Sequence, residues 1–257
     1  MKAASFNVNG IRARLQILTD WLTSQQPDVL CLQETKVQDK DFPVAAFDEV
    51  GYHVAYHGQK SYNGVAILSR EPLCDVTMGF ADGQYAEDAR LIRGRLGDVS
   101  IIDTYVPQGQ DVESDKFRYK LQWVAKLAEE IVADHSPDQQ VLWVGDLNIA
   151  RDDRDIYDPE AFRGQVCFHP KEHEALEALV QWGFVDVFRK HVQEGEQYTF
   201  FDYRLPNGFK RNLGWRVDHI MATRPLADLS SEAWIDKEPR GLPKPSDHTP
   251  ICARFEL

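Results

Sequence analysis

The sequence contains little cysteine and no arrangement that would pair it. Its 257 residues include four cysteines, and no two of them form a C-x-x-C motif. Cys31 and Cys252 lie inside apolar runs, as small core residues do. This usage argues against a disulfide framework and against a thiolate zinc site, and it suits a reducing compartment.

Long apolar stretches are also missing. No run approaches the length of a membrane span, and the amino terminus has no secretory hydrophobic segment. There is no low-complexity segment, internal repeat or obvious linker. We therefore expect a cytoplasmic monomer without membrane contact, built as a single domain over residues 1–257 with a sizeable core.

Positive charge is in deficit. The chain has 29 Lys and Arg against 41 Asp and Glu, a formal net charge of −12. This balance weighs against a polyanionic partner such as DNA, but net charge does not give the local field, and a metal-dependent nuclease needs clustered carboxylates. Positive residues also form groups, each of which is either a solvated face or a phosphate contact. The groups are Arg12 and Arg14; Arg90, Arg93 and Arg95; Lys116, Arg118 and Lys120; and Lys210, Arg211 and Arg216.

One predicted strand ends in polar side chains suited to a ligand site. Residues 140–144 contain a short run of Val, Leu and Trp that is typical of a buried strand. The run stops at Gly145, and Asp146 and Asn148 follow on alternate positions. Open α/β sheets place ligand sites at the carboxyl ends of their strands. An ordinary Asx turn explains the same residues without any function. A functional site is therefore indicated only if other predicted strands also end in polar side chains.

Two further strands are predicted to end in the same way. Residues 3–8 predict a first strand that ends near Asn7, and residues 28–32 predict a second that runs into Glu34. Apolar residues recur at helical spacing over residues 11–22, between the two strands. This is a β-α-β beginning, which both parallel and mixed sheets share.

The rest of the chain alternates between groups of strands and helices. Strands are predicted at residues 52–56, 64–69, 90–96, 99–106, 215–221 and 250–255. Helices are predicted at residues 117–132 and 174–182, separated by the strand over 140–144 and a charged loop over 151–170 that is long enough to suggest a function. This order predicts two packed sheets with helices outside.

Acidic and amide side chains therefore recur where predicted strands begin or end. They are Asn7, Glu34, Asp146 with Asn148, Asp218, and the Asp247-His248 pair. Carboxylate and amide oxygens are the ligands that Mg²⁺ takes alongside substrate phosphates, and a carboxylate beside an imidazole favours its charged form. Each residue alone could serve as a cap or a salt bridge. Together they point to phosphoryl-transfer chemistry.

Six short motifs carry a resemblance to a known family. They are Asn7-Val8-Asn9-Gly10, Leu32-Gln33-Glu34-Thr35-Lys36, Tyr105-Val106-Pro107-Gln108-Gly109, Gly145-Asp146-Leu147-Asn148, Gly214-Trp215-Arg216-Val217-Asp218 and Ser246-Asp247-His248. In this order they resemble the exonuclease III family of apurinic/apyrimidinic endonucleases, within the deoxyribonuclease I-like endonuclease/exonuclease/phosphatase superfamily. The resemblance covers essentially the whole chain.

The resemblance implies both a fold and an activity. The fold is a four-layer α/β sandwich, two mixed β-sheets packed face to face with helices on both outer faces. The activity is Mg²⁺- or Mn²⁺-dependent hydrolysis of phosphodiesters in double-stranded DNA. It comprises incision 5′ to abasic sites, removal of 3′ blocking groups and 3′→5′ exonuclease action.

The resemblance also implies a role for each site residue. Glu34 is the principal metal ligand, with Asn7 beside it and Asp247 nearby. Asp146 positions or deprotonates the attacking water, and Asn148 helps to hold the phosphate. Asp146, Asn148 and His248 also fall within the implied metal set. Finally, Asp218 orients His248, which stabilises charge on a phosphate oxygen, and Tyr105 lies near the same phosphate.

Four residues are implied in substrate binding. Phe200 and Trp215 match aromatic positions that line a pocket for the abasic sugar, and Gln108 belongs to a motif beside the phosphate. Cys167 stands where the family commonly has Gly or Ser, so it is either a small loop residue without contact or a wall of that pocket.

Two other readings remain at this point. A phosphoesterase of the same superfamily that acts on a non-DNA phosphoester would share Asp146, Asn148 and His248 but would lack the aromatic pocket. A catalytically silent regulator that binds nucleic acid would have replaced at least one residue of the catalytic set, and none is replaced.

Overall fold

The computed structural model describes residues 1–257 as twelve strands and seven α-helices. The strands are Lys2–Asn7 (β1), Val29–Gln33 (β2), His53–His57 (β3), Val65–Ser69 (β4), Cys74–Met78 (β5), Leu91–Leu96 (β6), Val99–Tyr105 (β7), Val141–Asp146 (β8), Phe184–Asp186 (β9), Asp218–Thr223 (β10), Ser230–Ile235 (β11) and Ile251–Phe255 (β12). The helices are Ile11–Gln25 (α1), Val44–Asp48 (α2), Asp115–Asp134 (α3), Pro159–Phe162 (α4), Pro170–Trp182 (α5), Val187–His191 (α6) and Arg224–Ala227 (α7). No helix combines the length and the apolar character that crossing a membrane requires.

The strands form two six-stranded sheets of the same plan. Sheet A has the order β11-β12-β1-β2-β4-β3, and sheet B has the order β5-β6-β7-β8-β10-β9. Each sheet has one parallel pair at its centre, β1 with β2 and β7 with β8, and every other pairing is antiparallel. Both sheets are therefore mixed.

Alternation along the central strands explains how the layers pack. In β8, Leu142 and Val144 belong to the core between the sheets, whereas Trp143 belongs to the core beneath the outer helices. Successive side chains of a strand point to opposite faces, so a continuous apolar run serves two cores at once. Helices α1 and α2 cover the outer face of sheet A, and α3 and α5 cover that of sheet B. The predicted four-layer α/β sandwich is confirmed.

Several predicted boundaries were wrong. The strand predicted over 215–221 begins only at Asp218, because Trp215 makes isolated bridges to Ile156 and Phe200 instead of joining the sheet. The helix predicted over 174–182 begins at Pro170, where His169 and Glu172 form a reciprocal cap. The loop predicted over 151–170 contains α4.

Three strands escaped prediction altogether. All residues of β5 are exposed, so no apolar face marks it in the sequence. The strand β9 has only three residues, and β11 carries polar residues at a sheet edge. Short or exposed edge strands lack the alternation on which sequence patterns depend.

Candidate active site

Strand ends from both sheets meet at one edge of the sandwich. Strand β1 ends at Asn7, and Glu34 directly follows β2 in sheet A. In sheet B, Asp146 is the register partner of both Tyr105 and Asp218 on the two neighbouring strands. The pairing of strands within each sheet thus brings residues distant in sequence to a common edge.

Unusual backbone conformations shape this edge. Gly145 has φ 140°, and a Cβ there would lie 1.9 Å from the carbonyl oxygen of Thr104, so only glycine lets β8 approach β7 before Asp146. Glu34, Asn148 and Cys167 are left-handed, with φ of 53°, 51° and 70°. Left-handed non-glycine residues are strained and collect at functional sites, where the surroundings hold them.

Glu34 and Asp146 are joined by an amide. Asn7 Nδ2 donates hydrogen bonds of 2.8 Å to Glu34 Oε1 and to Asp146 Oδ2. The second oxygen of Glu34 pairs with Lys36 Nζ at 2.7 Å. Burial alone would raise the pKa of Glu34, but Lys36 and the amide of Asn7 outweigh it and lower that pKa. Glu34 is therefore held as a carboxylate.

An imidazole lies on the other side of Asp146. His248 Nδ1 lies 2.8 Å from Asp218 Oδ2, and His248 Nε2 lies 3.8 Å from Asp146 Oδ2. Burial alone would lower the pKa of His248, but Asp218 and Asp146 outweigh it and raise that pKa, so the ring is an imidazolium. Burial raises the pKa of Asp146, and the neighbouring Asp218 and Glu34 add to the effect.

Asn148 and Tyr105 complete the inner site. Asn148 is fixed by two bonds, from its Nδ2 to the Val106 carbonyl at 3.0 Å and from its backbone N–H to Asp146 Oδ1 at 2.9 Å. Burial raises the pKa of Tyr105 well above its usual value, and the carboxylates of Glu34 and Asp146 reinforce this. Tyr105 is therefore a neutral phenol that can donate a hydrogen bond to an anion.

The donor set fits a hard divalent cation. Glu34, Asp146 and His248 each offer a ligand atom, and these atoms lie within 4.8 Å of one another. Two carboxylates in an open cleft match the few-ligand sites that Mg²⁺ and Mn²⁺ use beside phosphates. An imidazolium has no free lone pair, which favours His248 as a phosphate partner over a metal ligand. Asn7 acts here as a donor that holds the two carboxylates together.

The inner site opens into a cleft of about 770 Å³. Of the residues predicted for the site, ten line it, namely Glu34, Tyr105, Gln108, Asp146, Asn148, Cys167, Phe200, Trp215, Asp247 and His248. Phe200 contacts the His248 ring with centroids 4.9 Å apart, and the Trp215 ring packs on Phe162 at 4.8 Å. An aromatic wall thus stands beside the carboxylates.

Asp247 has a different setting from the other acids. Its Oδ1 accepts a hydrogen bond of 2.9 Å from Asn9 Nδ2, and it lies outside the group of close ligand atoms. Asn9 in turn accepts from Lys36. Sequence reasoning assigned no role to Asn9 or Lys36, although both stand inside the motifs that carried the resemblance.

Two members of the positive groups are buried. Lys120 and Arg216 have no exposed surface, so neither is part of a solvated face nor a direct phosphate contact. The sequence signal for Lys120 was its place in the apolar stripe of α3, between Phe117 and Val124. A lysine at a core position indicates a buried partner.

Hydrolysis of phosphoesters with the help of a divalent cation is the chemistry that these groups can support together. The fold and the site therefore define a metal-dependent phosphoesterase of the α/β-sandwich class. Residues 4–248 match the endonuclease/exonuclease/phosphatase family, and the chain belongs to it. Divalent-metal dependence is a property of this family, in keeping with the acidic group in the cleft.

Known proteins of this type resemble the chain over its full length. Exodeoxyribonuclease III of Haemophilus influenzae is 36% identical over 268 residues, covering 100% of both chains. The structure of an AP endonuclease from Archaeoglobus fulgidus superposes with a TM-score of 0.97 at 43% identity, with 100% of both chains covered. The 3′ phosphatase NExo from Neisseria, bound to a product DNA hairpin, gives 0.95 at 36% identity with the same coverage. These likenesses confirm the prediction of a DNA-repair nuclease.

Proposed function

We propose that the protein hydrolyses phosphodiesters of double-stranded DNA at abasic sites and at blocked 3′ ends, with Mg²⁺ or Mn²⁺ as cofactor. Stepwise 3′→5′ exonuclease action follows from the same chemistry at an ordinary 3′ end. One observation carries the proposal, namely that an aromatic wall and a buried carboxylate–imidazole group share one cleft. We further propose that the enzyme works as a monomer in the cytoplasm.

Glu34 and Asp146 are the residues that would hold the cation, with Asn7 fixing the distance between their carboxylates. When bound, a divalent cation neutralises charge on the phosphate and polarises its oxygen for attack. Asn148 would hold the phosphate through the second hydrogen of its Nδ2, because Nδ2 already donates one hydrogen bond to the Val106 carbonyl and the backbone N–H is bonded to Asp146. Asp247 would support this side of the site through Asn9.

The proton and charge steps fall to the residues of sheet B and to His248. Asp146 would position or deprotonate the attacking water, since its carboxylate lies between Asn7 and His248 at the bottom of the cleft. His248, oriented by Asp218, would stabilise the charge that develops on a phosphate oxygen. Tyr105 would donate a hydrogen bond to the same phosphate.

The aromatic wall supports recognition of a sugar without a base. An abasic nucleotide leaves the helix at low cost because it has no base to unstack. Phe200 and Trp215 would contact the bare deoxyribose in a cleft that Gln108 and Cys167 also line. Arg204 lines the cleft and Lys36 pairs with Glu34, so both suit phosphate contacts that are independent of base sequence.

A panel of duplex oligonucleotides tests the proposal. One duplex carries an abasic site, a second carries a 3′ phosphate, and a third has a plain 3′ end. Each is assayed with Mg²⁺ and with chelator. We expect Mg²⁺-dependent cleavage of the first two at rates well above the third. Hydrolysis of inositol phosphates or phospholipids, with no cleavage of any duplex, would overturn the proposal.

Replacing Cys167 separates the two main activities. Cys167 is buried at the cleft wall with its Sγ 3.6 Å from Gln108 Nε2. A Cys167→His variant should lose abasic incision by about tenfold or more relative to 3′-phosphate removal, because a bulky ring fills the space of an extrahelical sugar whereas a chain end needs no flipped pocket. Both rates are measured on the duplex panel. Equal loss of both activities, or no loss, would show that Cys167 does not shape the pocket.

A further inference from the structure

A fully buried ion pair lies behind the cleft wall. Lys120 of α3 and Glu172 of α5 bond to each other, and neither side chain is exposed. Lys120 occupies a core position of the apolar stripe of its helix, with Phe117 one turn before it and Val124 one turn after it. A lysine there loses its water and must find other partners.

The partners of the pair are backbone groups of the cleft. Lys120 Nζ donates to the carbonyl oxygen of Asn148 at 2.7 Å and to that of Gln108 at 3.3 Å. Glu172 accepts from the backbone N–H of Cys167 at 3.1 Å and from that of His169 at 3.0 Å. Three loops that follow separate elements are thus bonded to one ion pair.

Stability alone does not explain this arrangement. Replacing a buried ion pair by apolar residues of similar volume is often neutral or stabilising, so such a pair is weak support for a fold. Here the pair instead satisfies carbonyl and amide groups that irregular loops cannot bond among themselves. What it fixes is the distance between the Asn148 turn and the Cys167 turn.

Cys167 depends on this anchor for its conformation. Its φ of 70° is strained for a residue with a side chain. Glu172 holds its N–H, and the backbone N–H of Ala150 donates to its carbonyl oxygen at 2.7 Å. The two bonds press the left-handed turn against the loop that carries Asn148.

We propose that Lys120 and Glu172 are positioning residues that set the width of the abasic-sugar pocket. They hold the phosphate-binding turn at Asn148 and the pocket wall at Cys167 and Gln108 in one rigid unit. Loosening the pair moves the wall more than it moves Asn148, because Asn148 keeps its bonds to Val106 and Asp146. The anchoring of the Cys167 turn by the ion pair rests on geometry alone, whereas its effect on abasic incision rests on the proposed function.

The test uses Glu172→Asp, which keeps the charge on Lys120 but is too short to reach both backbone N–H groups. The matched control is Glu130→Asp in α3, where a nearly buried carboxylate pairs with Arg93 away from the cleft. Both changes are made in a Cys74→Ser background, since Cys74 is the exposed cysteine. Labelling of Cys167 by a thiol reagent, mapped by mass spectrometry, then reports the position of the wall without any substrate.

We expect Glu172→Asp to label Cys167 about tenfold faster than the parent, and to lower kcat/KM for abasic incision about tenfold more than for 3′-phosphate removal, mainly through KM. Glu130→Asp should change neither ratio. A milder variant, Lys120→Arg, should show the same bias if Glu172→Asp fails to fold.

Two results would overturn the inference. One is an unchanged rate of Cys167 labelling in Glu172→Asp. The other is a Glu172→Asp variant that, like the Glu130→Asp control, changes abasic incision and 3′-phosphate removal by the same factor. A parent protein that removes 3′ phosphates but never incises abasic DNA would overturn the abasic part of the proposed function instead. The labelling experiment would still decide whether the pair holds the wall.

Discussion

Two buried charge networks begin two residues apart on the same segment and differ in almost every respect. Arg216 bonds to both oxygens of Asp155 and to Asp186 at 2.7–2.8 Å. The guanidinium of Arg189 also bonds to Asp155, and its backbone N–H donates to Asp186. Arg151 also pairs with Asp186 at 3.7 Å, so three guanidinium groups face two carboxylates, and neither carboxylate has an oxygen without a partner. Burial alone would raise the pKa of Asp186, but Arg216 and His219 hold it well below its usual range.

The network that begins at Asp218 is unbalanced by comparison. Three carboxylates, Glu34, Asp146 and Asp218, share the imidazole of His248 and the ammonium of Lys36, and Asp218 Oδ1 has no partner. The first network pairs both of its carboxylates with arginine and ties the loop at Asp155 to α6 and to the segment at Arg216. The second leaves negative charge unmet, which is what a cation and a phosphate need from a site.

The largest expected effect on activity is at Asp146, in the unbalanced network. Asp146→Asn should lower the rate of 3′-phosphate removal by about 10²–10⁴-fold, because the carboxylate proposed to activate water is lost. The free energy of unfolding should stay the same or rise, since a buried carboxylate close to Glu34 and Asp218 is removed. Rates and thermal unfolding measured on one preparation check both parts. A loss of stability together with activity would mean that Asp146 stabilises the fold, as the acids of the Arg216 network do.

The reverse result is expected at Arg216. Arg216→Leu leaves Asp155 and Asp186 buried without their main partner, so the free energy of unfolding should fall by about 3–5 kcal/mol. Denaturant titration measures this loss. If Arg216→Leu remains folded at low temperature, its activity should need the same Mg²⁺ concentration as that of the parent protein. An unchanged midpoint would show that Arg189 and Arg151 are enough to balance the two acids.

A double-mutant cycle sharpens the catalytic side of the comparison. Asp218 bonds to His248, and in the proposed mechanism it acts only through that ring, so the rate losses of Asp218→Ala and His248→Ala should be strongly non-additive. The double variant should be slower than His248→Ala by no more than a few-fold. Single-turnover rates on the 3′-phosphate duplex give the four corners of the cycle. Losses in log rate that simply add would mean that the two residues work independently.

The smallest effect concerns pH. The pKa of Asp186 is depressed in the folded state, so its contribution to stability is present above the unfolded value of about 3.9 and is lost as the pH falls. Asp186→Asn should therefore unfold at lower denaturant at neutral pH but show a shallower loss of stability between about pH 5 and pH 3. Asp75→Asn, in an exposed pair with Arg95, is the control. Parallel pH profiles of stability for Asp186→Asn and wild type would show that Asp186 does not cause the loss of stability at low pH.

The sequence predicted the catalytic network better than the structural one. Asn7, Glu34 and Asp146 stand at strand ends, where a local pattern marks both the strand and its polar terminus, whereas Asp218 begins a strand whose predicted range started at Trp215. The layered fold followed from the same strands and their spacing. Boundaries failed where local signals are weak, as at Trp215, whose apolar character suits a strand but whose ring is used in the cleft.

The partners of Lys120 and Arg216 could not be predicted. Lys120 meets Glu172 52 residues away, and Arg216 meets Asp155 61 residues away, and no local pattern encodes a contact across that distance. Both residues were grouped with surface charge because clusters of Lys and Arg usually are solvated. Only the core position of Lys120 in its helix departs from that expectation.

The division of the cleft between the two sheets has a consequence for biosynthesis. Asn7, Glu34 and His248 come with sheet A, whereas Tyr105, Asp146 and Asp218 come with sheet B. Strand β12 pairs with β1, so this part of sheet A forms only after residues 251–255 have been made. Neither sheet alone assembles the group that would hold a cation. Recovery of nuclease activity during refolding would accordingly report when the two sheets have docked.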